Sequence, residues 1–258
     1  ASLHAAGKED EAIAAFEEGL ALEDNAFVKR IYAPILAQKG EHDRAMDLYE
    51  DCLDESPNDV ALLLEYAQTL HAAGRTFEVP KVLRDVLSSN PDVNTRAQTL
   101  AWLVELEQPQ RVKVVEQAQE RMQRGEFEPV LRDLKPLRNW LADYWKLWAI
   151  LSSAHNQVKQ YAEAEDASKR LLELFPGCEP AYGELVQALT GQDKSEEAYL
   201  IMRMAAGNMP QSLGVHVNLA IAAKRAGHGD EARHLAKQIR EAVGKNEELE
   251  PVLVEIEA

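Results

Sequence analysis

The sequence predicts an all-α fold, an α-α superhelix in which antiparallel helix pairs form a right-handed solenoid. Two observations support this prediction. The segment Leu-His-Ala-Ala-Gly occupies residues 3–7 and recurs letter for letter at residues 70–74, and Gly40 lies between the two copies in the same frame. The interval of 67 residues is two units of about 34 residues, a period typical of helical repeat arrays.

Residues 1–91 are predicted to form an N-terminal repeat stack that starts in the middle of a repeat, because residues 1–7 resemble the last turns of a helix. We therefore expect the chain to be a fragment of a longer protein. An apolar ladder follows each glycine of the frame, and apolar residues three and four apart form one face of a helix. The ladders are Ala12, Phe16 and Leu20; Ala45, Tyr49 and Leu53; and Val79, Leu83 and Leu87. Pro34 lies inside one predicted helix and is expected to bend or split it.

Residues 92–140 are predicted to be an irregular seam with an extra helix and a degenerate repeat. Gly74 and Gly125 are 51 residues apart, which is one and a half units. We place the extra helix at 93–106, and we expect Pro136 to shorten the helix that contains it. All four tryptophans lie in or beside the seam, where they either fill irregular packing or form an exposed patch that binds a partner. The seam is either a hinge or a rigid bend.

Residues 141–243 are predicted to form a C-terminal repeat stack, and residues 244–258 a capping helix. Gly125, Lys159, Asp193 and Gly227 follow one another at steps of 34. The last segment combines acidic residues with an apolar side, which suits a helix that covers the open end of a stack. Along the whole chain we place helices near 9–22, 26–38, 42–55, 59–72, 76–89, 93–106, 110–124, 127–138, 141–157, 161–174, 179–190, 195–207, 212–226, 229–243 and 246–257.

The repeated unit resembles the tetratricopeptide repeat, a pair of helices called A and B. Two fuller matches carry the resemblance, which covers roughly 1–91 and 142–243. They are Leu63, Tyr66, Ala67, Leu70, Gly74, Val79, Leu83, Leu87 and Pro91, and then Trp148, Leu151, Ser152, His155, Tyr161, Ala164, Leu172 and Pro176. The resemblance implies that a small residue lies where helix A presses on helix B, at Ala33, Ala67, Ser152 and Ala220.

The resemblance also implies a concave groove lined by the exposed face of each helix A. The positions that carry over as partner-binding residues are Phe27, Arg30, Gln38, Leu64, Gln68, His71, Lys146, Ser153, Asn156, Gln157, Gln187 and Lys224. Some members of the family hold a peptide's terminal carboxylate with lysine, asparagine and arginine. Ala61, Leu64 and Glu65 occupy such positions here, so the sequence disfavours binding of a carboxylate tail.

The net charge of −16 is spread unevenly. Residues 1–108 hold 9 Lys and Arg against 21 Asp and Glu, a net charge of −12, whereas residues 109–258 carry −4. An acidic surface repels phosphate backbones, so we expect no nucleic acid as a ligand. The acidic helix near 42–55 is either a solvated face or a dock for a basic partner. No apolar run approaches 18 residues, so we expect no direct membrane insertion.

We expect no enzyme activity, no cofactor and no metal site in these residues. The sequence holds no phosphate-binding loop, no nucleophile elbow and no His-Glu-x-x-His zinc motif. Cys52 and Cys178 are far apart and lack the spacing of a zinc site, and Cys52 is expected to be a buried, inert thiol. The two cysteines leave the compartment open, with the cytoplasm and a bacterial periplasm both compatible. The sequence does not specify oligomeric state.

The sequence therefore predicts a non-catalytic scaffold that binds a protein or peptide segment, with basic segments favoured, in the concave groove. An alternative function is a recruitment or regulatory arm of a larger multidomain enzyme, such as a transferase, whose catalytic domain lies outside this fragment. A third hypothesis is a sensor in which a small peptide changes the curvature at the seam.

Overall fold

The computed structural model describes residues 9–244 and 246–257, with the side chains of residues 9 and 10 left aside. All regular structure in these residues is helical. The chain divides into two compact units, with the boundary in the sequence between Glu107 and Gln108. Unit 1 contains α1 (Glu9–Leu22), α2 (Ala26–Gln38), α3 (His42–Glu55), α4 (Val60–Ala72), α5 (Val79–Ser88) and α6 (Val93–Glu107). Unit 2 contains α7 (Pro109–Gln123), α8 (Phe127–Leu134), α9 (Trp145–Gln157), α10 (Tyr161–Leu174), α11 (Glu179–Thr190), α12 (Ser195–Asn208), α13 (Leu213–Arg225), α14 (Gly229–Val243) and α15 (Glu250–Glu257).

Successive helices within each unit pack against one another as antiparallel pairs. In unit 1 the thiol of Cys52, near the end of α3, donates to the carbonyl of Ala26 at the start of α2, with Sγ and O 3.6 Å apart. In unit 2 the ring of Trp145, at the start of α9, meets Phe175, just after the end of α10, at a centroid distance of 5.0 Å. We call α2, α4, α9, α11 and α13 A helices, and their following partners B helices. Neighbouring A helices also pack side by side within a unit.

Small side chains lie at the predicted contact with helix B in four of the five A helices, and Val186 takes this position in α11. Ala33, Ala67, Ser152 and Ala220 are all completely buried. At this point the two backbones approach closely, because nothing larger than a methyl or hydroxymethyl group separates them. The large side chains of the core, among them Tyr32, Tyr49, Leu70 and Leu151, pack around these contacts. Each unit therefore has a core made of neighbouring pairs.

A residue with positive φ follows every helix A of the frame. Gly40, Gly74 and Gly227 adopt this left-handed conformation, which glycine reaches without steric cost, and Gly125 adopts it after α7. At the same register Lys159 and Asp193 adopt φ values of 59° and 62°. The step of 34 residues in the sequence is thus a step between equivalent turns, even where no glycine marks it.

Several local expectations need correction. Helix α2 continues through Pro34 without splitting. The helix predicted over 141–157 begins at Trp145, because Leu141 and Tyr144 are buried in the preceding turns. The capping helix begins at Glu250 rather than near 246, and it packs against α13 and α14 with Leu253 and Ile256 buried. Helix α8 ends at Leu134, and Pro136 follows in a single 3₁₀ turn at Lys135–Leu137, as expected.

The extra helix predicted near the middle of the chain is α6, which packs on α5 at the end of unit 1. The expectation for residues 1–7 lies outside the described residues. The division of the chain into stacks at 1–91 and 141–243, a seam and a cap stays a prediction beside the two observed units.

Unit 2 contains a buried histidine that joins the end of α9 to the elements around it. Nδ1 of His155 lies 2.7 Å from Oε1 of Gln160, and Nε2 lies 2.8 Å from a guanidinium nitrogen of Arg138. Arginine only donates, so Nε2 accepts and Nδ1 carries the proton. Burial lowers the pKa of His155, Gln160 opposes this effect, and the charge of Arg138 lowers the pKa further.

We predict that Ala67→Leu destabilises unit 1 by roughly 1–3 kcal/mol, because the added atoms overpack the contact between α4 and α5. Chemical denaturation followed by circular dichroism measures the change. Ala61→Leu is the matched control, since Ala61 is exposed on the same helix. Equal losses in the two variants would contradict the tight contact at Ala67.

We predict that the chain loses stability as the pH falls below about 6.5, the usual pKa of histidine. In this window the unfolded chain binds a proton at His155, while the folded chain, in which the pKa of His155 is lowered, does not. Thermal unfolding between pH 7.5 and pH 5.0 should show a shallower dependence in His155→Gln. Gln157→Asn, at an exposed residue of the same helix that does not titrate, should keep the full dependence.

Candidate functional site

In unit 1, the A helices α2 and α4 lie side by side and carry six of the predicted groove residues. Both helices begin at a polar cap. Oδ1 of Asn25 accepts from the backbone N–H groups of Phe27 and Val28, and Oδ1 of Asp59 accepts from that of Leu62. These caps satisfy N–H groups that a helix start leaves open. The ring of Phe27 is 71% exposed, which is high for an aromatic side chain.

Arg30 connects the two A helices through a salt bridge with Asp59. Its guanidinium binds both carboxylate oxygens, and this contact lowers the pKa of Asp59. Asp59 therefore has two roles, as the cap of α4 and as the partner of Arg30. The Arg30 side chain is partly exposed on this face but is not a free charge.

Gln38 and Gln68 meet in one cavity of about 300 Å³ formed by α2, α3 and α4. Both amides are exposed, and Ala37 and Ala72 provide apolar wall beside them. Glu65 lines the same cavity, together with residues of α3 and a further residue of α4. The remaining lining residues are Pro34, His42, Tyr49 and Thr69.

The last two predicted groove residues of unit 1 have intramolecular contacts. Leu64 is half-buried and packs against the core of unit 1. His71 is exposed, and its ring meets the ring of Trp102 on α6 edge-on at a centroid distance of 5.9 Å. The groove face of unit 1 therefore consists of an exposed phenyl ring, a paired arginine, two glutamines and an imidazole.

In unit 2, four of the predicted groove residues remain at least partly accessible. Nζ of Lys146 lies 5.9 Å from the ring centre of Tyr144 and 5.8 Å from that of Trp145. Ser153 is half-buried, and Gln157 is exposed near the end of α9. Gln187 is exposed on α11, the neighbouring A helix.

Asn156 and Lys224, also predicted to line the groove, have partners inside unit 2. Asn156 is 2% exposed, and its Nδ2 donates to the carbonyl and the carboxylate of Glu184, at 2.9 Å and 2.6 Å. Lys224 donates to the backbone carbonyl of Glu255 on α15. The first contact joins α9 to α11, and the second holds the capping helix against α13.

The tryptophans divide between the two interpretations drawn from the sequence. Trp102 and Trp145 are half-buried in aromatic contacts, and Nε1 of Trp148 donates to the carbonyl of Ala142 at 2.9 Å. These three are packing residues. Trp140 is 62% exposed, and the guanidinium of Arg111 lies over its ring at 4.1 Å.

Sequence reasoning missed the contribution of Glu65 to this face. It noted Glu65 only as a departure from a carboxylate-binding clamp. The residue is the single Asp, Glu, Lys or Arg in α4, and a charged residue in an otherwise mostly apolar helix was the signal available. His42 and Tyr49 join the cavity only through the packing of α3 on both A helices, which the repeat pattern does not specify.

Within the described residues, no group of three or more His, Cys, Asp or Glu side chains is arranged to hold a metal ion. No helix in that part of the chain combines the length and apolar character of a membrane span. Cys52 is buried as expected, Cys178 is half-buried, and burial raises the pKa of both thiols.

Comparison with known proteins supports the family resemblance. The family model of the tetratricopeptide repeat matches residues 36–103. A comparison with curated proteins found no match. Similar solved structures include a tetratricopeptide repeat protein from Parabacteroides merdae, with 14% identity, coverage of 99% of this chain and 94% of that chain, and a TM-score of 0.42.

Two other solved structures are similar to a comparable degree. A thermophilic tetratricopeptide repeat protein from Thermus thermophilus has 17% identity, covers 76% of this chain and 98% of its own, and has a TM-score of 0.47. The TPR2AB domain of yeast Sti1 in complex with pHSP90 has 14% identity, coverage of 99% and 93%, and a TM-score of 0.40. At these TM-scores the likenesses say nothing about function.

We predict that Asn156→Asp destabilises unit 2 by about 1–3 kcal/mol, because it removes a buried donor and places a second carboxylate beside Glu184. Gln157→Glu is the matched control, since it adds the same charge at the next, exposed residue and should cost less than about 0.5 kcal/mol. Denaturant unfolding of both variants measures the difference. Small losses in both variants would contradict a structural role for the contacts between Asn156 and Glu184.

Proposed function

We propose that this chain, a tetratricopeptide repeat protein, is a non-catalytic scaffold that binds an extended segment of another protein against the exposed faces of its A helices. The observation that carries the proposal is the cavity shared by Gln38 and Gln68, which places two exposed amides on neighbouring A helices. Each A helix hides its other side in contacts with its own helix B and with the next pair. In α2, α4, α9 and α11 the remaining face carries exposed amides, at Gln38, Gln68, Gln157 and Gln187.

The chemistry of this face suits an extended backbone. Glutamine side chains both donate and accept hydrogen bonds, so Gln38 and Gln68 in unit 1, and Gln157 and Gln187 in unit 2, match the alternating N–H and C=O groups of a peptide. Phe27 offers an exposed ring for an apolar side chain. Binding of this kind is built from many modest contacts on a preformed surface.

The partner we propose for unit 1 is a basic segment. Residues 1–108 carry a net charge of −12, and Arg30, the one cation among the predicted groove residues of unit 1, is held by Asp59. Charge complementarity accelerates the encounter of two proteins and suppresses unsuitable partners. The proposed binding residues are Phe27, Arg30, Gln38, Leu64, Gln68, His71, Lys146, Ser153, Gln157 and Gln187. Asn156 and Lys224 are left out because of their intramolecular partners.

The test is a selection from a library of random 12-residue peptides displayed on phage, followed by affinity measurements on the selected peptides. We predict that basic peptides are enriched and that Gln68→Lys weakens their binding roughly tenfold, equivalent to about 1.4 kcal/mol. The substitution removes an amide and adds repulsion. Affinity should also fall as salt rises, because exposed charges are screened.

Ser88→Lys is the matched control, because it adds the same charge to unit 1 on α5, a helix B, at an exposed residue. Its effect should stay below about twofold, as expected for a distant surface charge. A library that yields no binding peptide, or equal losses in the two variants, would remove the groove proposal.

A further inference from the structure

The cavity between α2, α3 and α4 contains buried polar atoms that the protein itself leaves unused. Oε2 of Glu65 and Nδ1 of His42 are both inaccessible to solvent, and within the described residues neither has a hydrogen-bond partner. Both residues line the same cavity. Buried polar atoms without a partner are rare in folded proteins, and each one calls for an explanation.

The other buried polar groups of the cavity are already engaged. The hydroxyl of Thr69 donates to the backbone carbonyl of Glu65 at 2.9 Å, and the side chains of Tyr49 and Thr69 share a hydrogen bond. The charge of Arg30 acts on Glu65, but the guanidinium itself is bound to Asp59. Burial raises the pKa of Glu65, and the charge of Arg30 opposes this effect. The carboxylate thus lacks a direct counter-ion.

The residues that line the cavity differ in polarity. Pro34, Ala37 and Ala72 are apolar, while Glu65 and His42 are polar. A volume of about 300 Å³ is at the lower end of small-molecule pockets and suits one long side chain. Lysine combines an apolar four-carbon stem with a compact ammonium group that carries three donors and no acceptor. Its stem would contact the apolar walls, and its head would reach the unused acceptors.

We propose that this cavity binds the side chain of a lysine in the partner segment, with Glu65 as the counter-ion and with His42 and the amide oxygens of Gln38 and Gln68 as further acceptors. This inference rests on the proposed function, because it assigns a specificity pocket to the same face. It names the chemistry of one partner residue, whereas the groove proposal requires only that an extended segment binds.

The experiment titrates two small probes into the ¹⁵N-labelled full chain and follows backbone and glutamine side-chain amide signals by NMR. One probe is Nα-acetyl-lysine methylamide, which carries the ammonium group. The other is Nα-acetyl-norleucine methylamide, which has the same stem without it. We expect saturable shifts at Gln38, Gln68 and Thr69 with the lysine probe. The norleucine probe should bind at least about tenfold more weakly than the lysine probe.

Glu65→Gln is the decisive variant, because it keeps the shape of the side chain and removes its charge. We expect it to weaken binding of the lysine probe roughly tenfold or more. Glu55→Gln, at an exposed residue of α3, removes one acidic charge from the same unit and should leave the affinity unchanged. Glu65→Gln should not lower the thermal midpoint, because an ionised buried carboxylate without a direct partner costs stability. If Glu65 had only a structural role, Glu65→Gln would instead lower the thermal midpoint.

Equal binding of the two probes, or equal binding by the parent chain and Glu65→Gln, would overturn the lysine pocket. If the groove-binding peptides from the library still bind and still respond to Gln68→Lys, only the pocket fails. If the lysine probe saturates the cavity and Glu65→Gln abolishes this, the pocket stands even when no library peptide binds, and the scaffold proposal fails instead.

Discussion

The architecture depends on one contact, the close approach of helix A to helix B, which occurs at a small residue in four of the five A helices. Ala33, Ala67, Ser152 and Ala220 are completely buried, so this approach leaves no room for a longer side chain. It orients the apolar faces of a pair outward to the next pair, because two helices alone cannot cover them. Stability in each unit is therefore a sum over neighbouring pairs. The positive-φ turns after the A helices repeat this geometry at each step.

This constraint also decides which surface is left for another molecule. An A helix contacts its own helix B, the helix that precedes it and the neighbouring A helix, and one face remains outside these contacts. In unit 1 that face is polar at Gln38 and Gln68 and aromatic at Phe27. In unit 2 the capping helix α15 occupies the corresponding side of α13, where Lys224 binds the carbonyl of Glu255. The accessible A helices of unit 2 are thus α9 and α11 rather than α13.

The sequence could predict the helices and their turns because both follow from a short-range period. The frame located the turns at Lys159 and Asp193 correctly although neither is a glycine. It could not predict that α9 begins at Trp145, because Leu141 and Tyr144 continue the apolar pattern although the chain there is not helical. The period places Asn156 and Lys224 on the groove face, but the groups that bind them, in Glu184 and Glu255, lie about 30 residues away. Such partners depend on side-chain packing between repeats.

The cavity of Glu65 shows how a repeat protein can gain specificity that its overall charge does not provide. Most of the charge of residues 1–108 lies on exposed side chains. Physiological salt screens such charges beyond a Debye length of about 8 Å. In the proposed function this charge would attract any basic segment and raise the rate of encounter, but it would not select one residue. A buried carboxylate is screened much less, and it binds only a cation that reaches it through an opening of suitable size. Increasing salt should therefore reduce the attraction that basic segments share more than it reduces the preference for lysine over norleucine in the cavity. The repeat frame provides the helix face, and a single acidic side chain in α4, supported by α3, would determine which residue that face selects.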